Sequence, residues 1–115
     1  MIFSRLFGGA KAAGAPQVIG FDDLRRDLEA GVVELIDVRE PHEFGAGHVP
    51  GSRNMPLSRF DPAQVPRDRR IALICLSGTR SANALGQLRR AGFDQAVHFQ
   101  GGVSMWRTLG GPLVV

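Results

Sequence analysis

Two short apolar runs, each carrying one chemically distinctive residue near its end, restrict this chain more than any other feature. Residues 32–38 bring Val32, Val33, Leu35, Ile36 and Val38 together with Asp37, and residues 71–75 read Ile71, Ala72, Leu73, Ile74 and Cys75. Runs of this length, rich in β-branched residues, suit strands covered on both faces, as in a parallel sheet. Helical patterns lie between and around them. Phe21, Leu24 and Leu28 recur at helical spacing, with Asp22 and Asp23 at the positive N-terminal end and Gly31 as a natural stop. Ala84, Leu85, Leu88 and Ala91 form an apolar face ending at Gly92, and Val103, Trp106 and Leu109 form another after Gly101 and Gly102. Residues 17–19 and 96–99 read as further short strands. A short helical piece is expected over 41–45, and the turn-rich stretch 47–56 leaves room for a brief strand over 53–55. The alternation predicts an α/β fold, with a central, mostly parallel sheet of about five strands and helices on both faces.

At 115 residues with 43% hydrophobic content, the chain has apolar material for one compact core and no room for a second catalytic domain. Residues 1–16 read as a flexible arm and 17–115 as the domain. Arg5 interrupts the only segment that resembles a secretion signal, and no apolar run approaches the length of a membrane span. The formal charge of +3 owes two charges to Arg5 and Lys11 in the arm, so the domain itself is nearly neutral. Its arginines alternate with acids, as in Arg67, Asp68, Arg69 and Arg70, and no aromatic run accompanies them. A solvated mixed-charge surface is expected, not a nucleic-acid interface. A single cysteine excludes an internal disulfide, and no Cys/His cluster has zinc-ligand spacing, so the default setting is reducing and cytoplasmic, with no metal.

In open α/β sheets, ligands bind beyond the carboxyl ends of the strands, and Asp37 and Cys75 both fall there, which predicts one site. A cysteine at a strand end, followed by a small-residue loop that opens a helix, has its sulfur ringed by inward-pointing backbone N–H groups, and these stabilise a thiolate. Gly78 allows the tight loop, and Arg80 adds a positive charge able to hold an anionic donor or orient the loop. Ser77, Thr79 and Ser81 supply hydroxyls, any of which could instead cap the helix. A lone cysteine ending an apolar strand is more often an inert core residue. Here the glycine, the serines and the arginine downstream favour a nucleophile, because a core strand needs none of them.

The stretch from Leu35 to Phe44, then Gly47 to Ser52, resembles the N-terminal signature of the rhodanese-like sulfurtransferase family. The segment from Cys75 to Ser81 resembles that family's active-site loop, and Gly92-Phe93 through Gly101 to Trp106 its C-terminal element. The resemblance implies a rhodanese-like fold and a two-step reaction. The Cys75 thiolate takes a sulfane sulfur from a small-molecule donor such as thiosulfate or a persulfide. It then yields that sulfur to a thiol or cyanide, or to a sulfur-relay protein. The loop N–H groups of Leu76, Ser77, Gly78, Thr79 and Arg80 would stabilise the persulfide, with no metal or organic cofactor. Asp37 and Arg39 would brace the strand end, His48 would fix a loop and Trp106 would pack in the core. Several two-domain relatives that use thiosulfate carry an arginine where this chain has Glu43, which makes thiosulfate a surrogate donor here.

Cysteine phosphatases share the nucleophile, the N–H nest and an arginine. They place five residues between cysteine and arginine, whereas only Leu76, Ser77, Gly78 and Thr79 separate Cys75 from Arg80, a smaller cradle suited to one sulfur atom. The remaining alternative is a non-catalytic or redox-regulatory binding module. A redox role would need an external resolving thiol, since there is no second cysteine.

Overall fold

The computed structural model describes residues 16–115, so the arm expected over 1–16 lies outside the described residues except for Pro16. In chain order the elements are α1 (Phe21–Ala30), β1 (Glu34–Asp37), α2 (Pro41–Ala46), β2 (Arg53–Asn54), two 3-10 turns (Leu57–Arg59 and Pro62–Gln64), β3 (Ile71–Ile74), α3 (Thr79–Arg90), β4 (Val97–His98) and α4 (Gly102–Thr108). The strands are all parallel, in the order β2-β1-β3-β4. The segment expected as a fifth strand, 17–19, makes a single parallel bridge from Val18 to His98 at the β4 edge. β4 is only two residues long, and two backbone bonds, Ile19 N–H to the His98 carbonyl and His98 N–H to the Gln17 carbonyl, are all it shares with that segment. Four strands and one bridge therefore stand where about five strands were expected.

Alternation along the strands divides the core. Leu35, Ala72, Ile74, Val97 and Phe99 pack on one face with Leu24 of α1 and Val103 and Trp106 of α4. Ile36, Val38, Ile71, Leu73 and Cys75 pack on the other with Ala84, Leu85 and Leu88 of α3. α1 and α3 pack the stripes their spacing predicts against the core, and α1 ends at Gly31, whose left-handed backbone returns its N–H to the carbonyls of Asp27 and Leu28. Among the described residues, no helix is long and apolar enough to cross a membrane.

One detail differs from the sequence pattern. Leu109, expected on the buried face of the last helix, is 49% exposed. α4 ends at Thr108, and Gly110, with φ of 85°, turns the chain before another residue can reach the core. Trp106 is buried as expected, with its indole N–H on the Pro112 carbonyl at 2.8 Å. His48 does hold its loop: Nδ1 lies 2.8 Å from the Phe44 carbonyl, its ring stacks on Phe44, and its backbone pairs with Val114.

Candidate functional site

β1 and β3 are adjacent and in register, with Asp37 opposite Ile74, so Asp37 and Cys75 emerge together at the carboxyl edge of the sheet. Beyond Cys75 the chain turns through Gly78, which has φ of 105° and sits so close to Gln100 that a Cβ would run into its carbonyl oxygen. α3 starts at Thr79, and this tight entry folds the loop around the sulfur. The Gly78 N–H lies 3.1 Å from Cys75 Sγ, the Ser81 N–H 3.3 Å and the Ser81 hydroxyl 3.5 Å.

The back of the loop is tied to α4. The Val103 N–H donates to the Cys75 carbonyl at 2.8 Å and the Ser104 N–H to the Leu76 carbonyl at 3.1 Å. A Cβ on Gly102 would collide with those same carbonyl groups. The first amides of α4 thus satisfy loop carbonyls.

Burial pushes the Cys75 thiol up. The hydrogen bond with the Ser81 hydroxyl and those from the Ser81, Gly78 and Ser77 amides outweigh that push, so the net pKa lies below an ordinary thiol's. Of the expected loop donors, Ser77 and Gly78 therefore act on Sγ itself, and Ser81 acts with both its amide and its hydroxyl. Leu76 turns outward at 42% exposure. Of the three hydroxyls that could have capped α3, none does, since its N-cap, Gly78, has no side-chain cap.

Arg80 points to Glu43, not to the sulfur. The pair is bidentate at 2.6 and 3.0 Å, and Glu43 also accepts from the Glu40 N–H at 3.0 Å in the capping box of α2. The Arg80 hydrogen bond is the main reason the Glu43 pKa falls from 4.5 to about 2. A lowered carboxyl pKa stabilises the fold fully above the unfolded value. The contribution of this pair should therefore be complete above about pH 4.5 and fade as pH falls from there toward 2, which acid titration of Glu43 by NMR checks.

Asp37 and Arg39 form a fully enclosed pair. The Arg39 guanidinium meets both carboxylate oxygens at 2.8 to 3.1 Å, the Arg39 N–H donates to Asp37 at 3.0 Å, and a second guanidinium contact reaches the Gly47 carbonyl at 2.8 Å. Asn54 of β2 clamps the carbonyls of Asp37 and Arg39 from the neighbouring strand. The pair braces the strand end and does not touch the sulfur.

His98 was not singled out by the sequence reading. It lies on β4 opposite Leu73, on the α3 face of the sheet, and its Nδ1 is 2.8 Å from the Ser81 hydroxyl. The available signals were two polar residues on otherwise apolar stripes: Ser81 on the α3 face with Ala84, Leu85 and Leu88, and His98 in the alternation of 96–99.

A cleft of about 360 Å³ lies at the opposite end of the sheet, lined by Arg67, Arg69, Arg70 and Phe93 among others. Its arginines have structural partners. Arg67 donates to the Ala91 carbonyl and covers the Phe93 ring, Arg69 donates to the Gly31 carbonyl, and Arg70 pairs with Asp27. Two of them thus serve the carbonyl ends of α3 and α1, where cations are favourable. The candidate site therefore remains the Cys75 end of the sheet.

The sequence matches the family profile described as the rhodanese-like domain over residues 21–109. It is similar to an uncharacterized protein of Synechocystis, 44% identical over 79% of this chain and 52% of that protein, so the chain spans about half the length of that relative. It is also similar to the thiosulfate sulfurtransferase GlpE of Shewanella oneidensis, 35% identical over 76% of this chain and 89% of that protein. Among solved structures, a rhodanese-related protein of Thermoplasma volcanium superposes with a TM-score of 0.78 at 34% identity, covering 85% of this chain and 97% of that one.

Proposed function

Because the chain belongs to the rhodanese-like domain family, we propose that it is a sulfurtransferase that carries sulfur as a persulfide on Cys75. The observation that carries this reading is the cradle around Sγ, in which backbone N–H groups and the Ser81 hydroxyl hold the thiol below its ordinary pKa. In the first half-reaction the thiolate attacks the sulfane sulfur of the donor. A sulfur–sulfur bond forms to Cys75, and the donor's own bond to that sulfur breaks, releasing sulfite from thiosulfate or a thiolate from a persulfide. In the second, an acceptor thiolate or cyanide attacks the outer sulfur and the Cys75 thiolate leaves with the electron pair. The loop amides meet the negative charge as it moves between the two sulfurs. A sulfur-relay protein bearing a thiol fits the acceptor role by the same chemistry.

The Arg80–Glu43 pair bears on the donor. A dianion such as thiosulfate meets a guanidinium whose charge is already matched, so a persulfide donor is the better substrate in this reading. Glu43→Gln keeps an acceptor for the Glu40 N–H and releases Arg80. It should speed loading from thiosulfate by roughly three- to tenfold at low salt, with little change for a persulfide and a smaller gain at high salt. Stopped-time intact-mass measurements at two ionic strengths check this.

The reading itself is tested by intact mass after exposure to thiosulfate or to a persulfide donor, with and without cyanide. Gain of one sulfur atom, removed by cyanide, supports it. If neither donor loads Cys75 while its thiol still reacts with an alkylating agent, the reading fails and a binding or redox role takes its place.

A further inference from the structure

We propose that His98 is a positioning residue for Cys75, acting through the Ser81 hydroxyl in a chain that runs from His98 Nδ1 to Ser81 Oγ to Cys75 Sγ. Its catalytic consequence rests on the sulfurtransferase reading, whereas its effect on the ionisation of Cys75 does not.

The fold makes this chain from three elements. His98 of β4 is paired with Leu73 of β3, and Cys75 directly follows β3, two residues beyond Leu73 on the same face, so both side chains point toward α3. Ser81 is the first residue of the buried α3 stripe and fills the gap between them. The links are 2.8 Å from His98 to Ser81 and 3.5 Å from Ser81 to the sulfur. All three residues are buried, at 6%, 0% and 1% exposure, so water does not compete freely for these bonds.

Ser81 has one hydroxyl proton and three neighbours that bear on where it goes: the Gly78 carbonyl at 3.2 Å, the sulfur and the imidazole. A thiolate can only accept. When His98 carries its proton on Nδ1, it donates to Ser81 Oγ, and the Ser81 proton can then go only to the sulfur or to Gly78. In that tautomer the imidazole excludes the Ser81 orientation that would turn its proton toward β4, and leaves the thiolate to compete for it with the Gly78 carbonyl alone. No charge on the ring is needed. Burial lowers the His98 pKa, which keeps the ring neutral at neutral pH. The other ionisable groups around the loop, Arg80 of α3 with Glu43 of α2 and Arg39 with Asp37 of β1, are paired with each other and are untouched by a change at His98.

The test is the pH dependence of Cys75 alkylation by iodoacetamide, followed by intact mass and needing no sulfur donor. His98→Leu, which fills the space without a donor, should raise the alkylation midpoint by about one pH unit, or roughly tenfold slower alkylation at a fixed pH below it. Ser81→Ala should do the same. His98→Asn places an amide N–H near the position of Nδ1 and should stay within about threefold of the wild type, the rescue that a packing role alone would not give. In a Ser81→Ala background, His98→Leu should add nothing further. Thermal melts establish that each variant is folded; if His98→Leu is not, the comparison of His98→Asn with His98→Gln, whose amide reaches one carbon too far, decides in its place. An unchanged midpoint in a folded His98→Leu chain, or an equal shift with and without Ser81, overturns the proposal. A shift in midpoint without any sulfur loading in the wild type would instead sink the sulfurtransferase reading and leave the chain of three intact.

Discussion

A Cys75→Ser chain should lose sulfur transfer to the uncatalysed background, a drop on the order of 10⁴-fold or more, while melting within a few degrees of the wild type. The size follows from the chemistry. The serine hydroxyl has no accessible anion near neutral pH and cannot form the sulfur–sulfur bond on which the two half-reactions depend, and removal of a covalent nucleophile is among the costliest changes to an enzyme. The small structural cost follows from the geometry, since a hydroxyl can still accept from the Gly78 and Ser81 amides that now meet Sγ. Cyanide-dependent thiocyanate formation beside a thermal melt measures both. The wild-type loading rate should also hold up as pH falls below the range where an ordinary thiol protonates, because the Cys75 pKa is lowered. That retained rate should shrink in Ser81→Ala, which keeps the amide donors and loses the hydroxyl.

The second large effect is on stability. Asp37→Ala leaves the Arg39 guanidinium, 4% exposed, with the Gly47 carbonyl as its remaining acceptor and no counter-charge. Stranding a buried charge in this way costs about 3–5 kcal/mol. For a domain of this size that lowers the melting temperature by at least about 12 °C. Replacing both partners, Asp37→Leu with Arg39→Met, removes the stranded charge and should recover most of the loss. Chemical denaturation of the two singles and the double closes the cycle. A single-variant cost below about 1 kcal/mol would mean that water reaches the guanidinium and that the brace is weaker than its geometry implies.

The sequence showed the strand ends clearly, because runs such as Ile71 to Cys75 are continuous, apolar and bounded by turn residues, and a parallel sheet brings such ends to one edge. It showed Cys75 for the same reason: a glycine, serines and an arginine crowd behind it where a core strand needs none. The partners of those residues were not legible. Arg80 and Glu43 lie 37 positions apart and meet only because α2 and α3 both start at the carboxyl edge of the sheet. His98 depends on register, since a slip of one residue in β4 would turn its ring to the opposite face. The difference between a fifth strand and one bridge at Val18 turns on how many backbone bonds a two-residue neighbour can offer, which no local pattern encodes.

Sγ is held in a cradle that activates it, yet Cys75 as a residue is 1% exposed. Intrinsic reactivity and rate of encounter are therefore separated in this molecule. A slender reagent such as cyanide or a small alkylating agent should therefore reach the sulfur far more readily than the equally buried sulfur of a second folded copy of the chain. The protein should therefore resist cross-linking to itself through Cys75 at high concentration, and a macromolecular acceptor would need to present its sulfur on a narrow, extended tip.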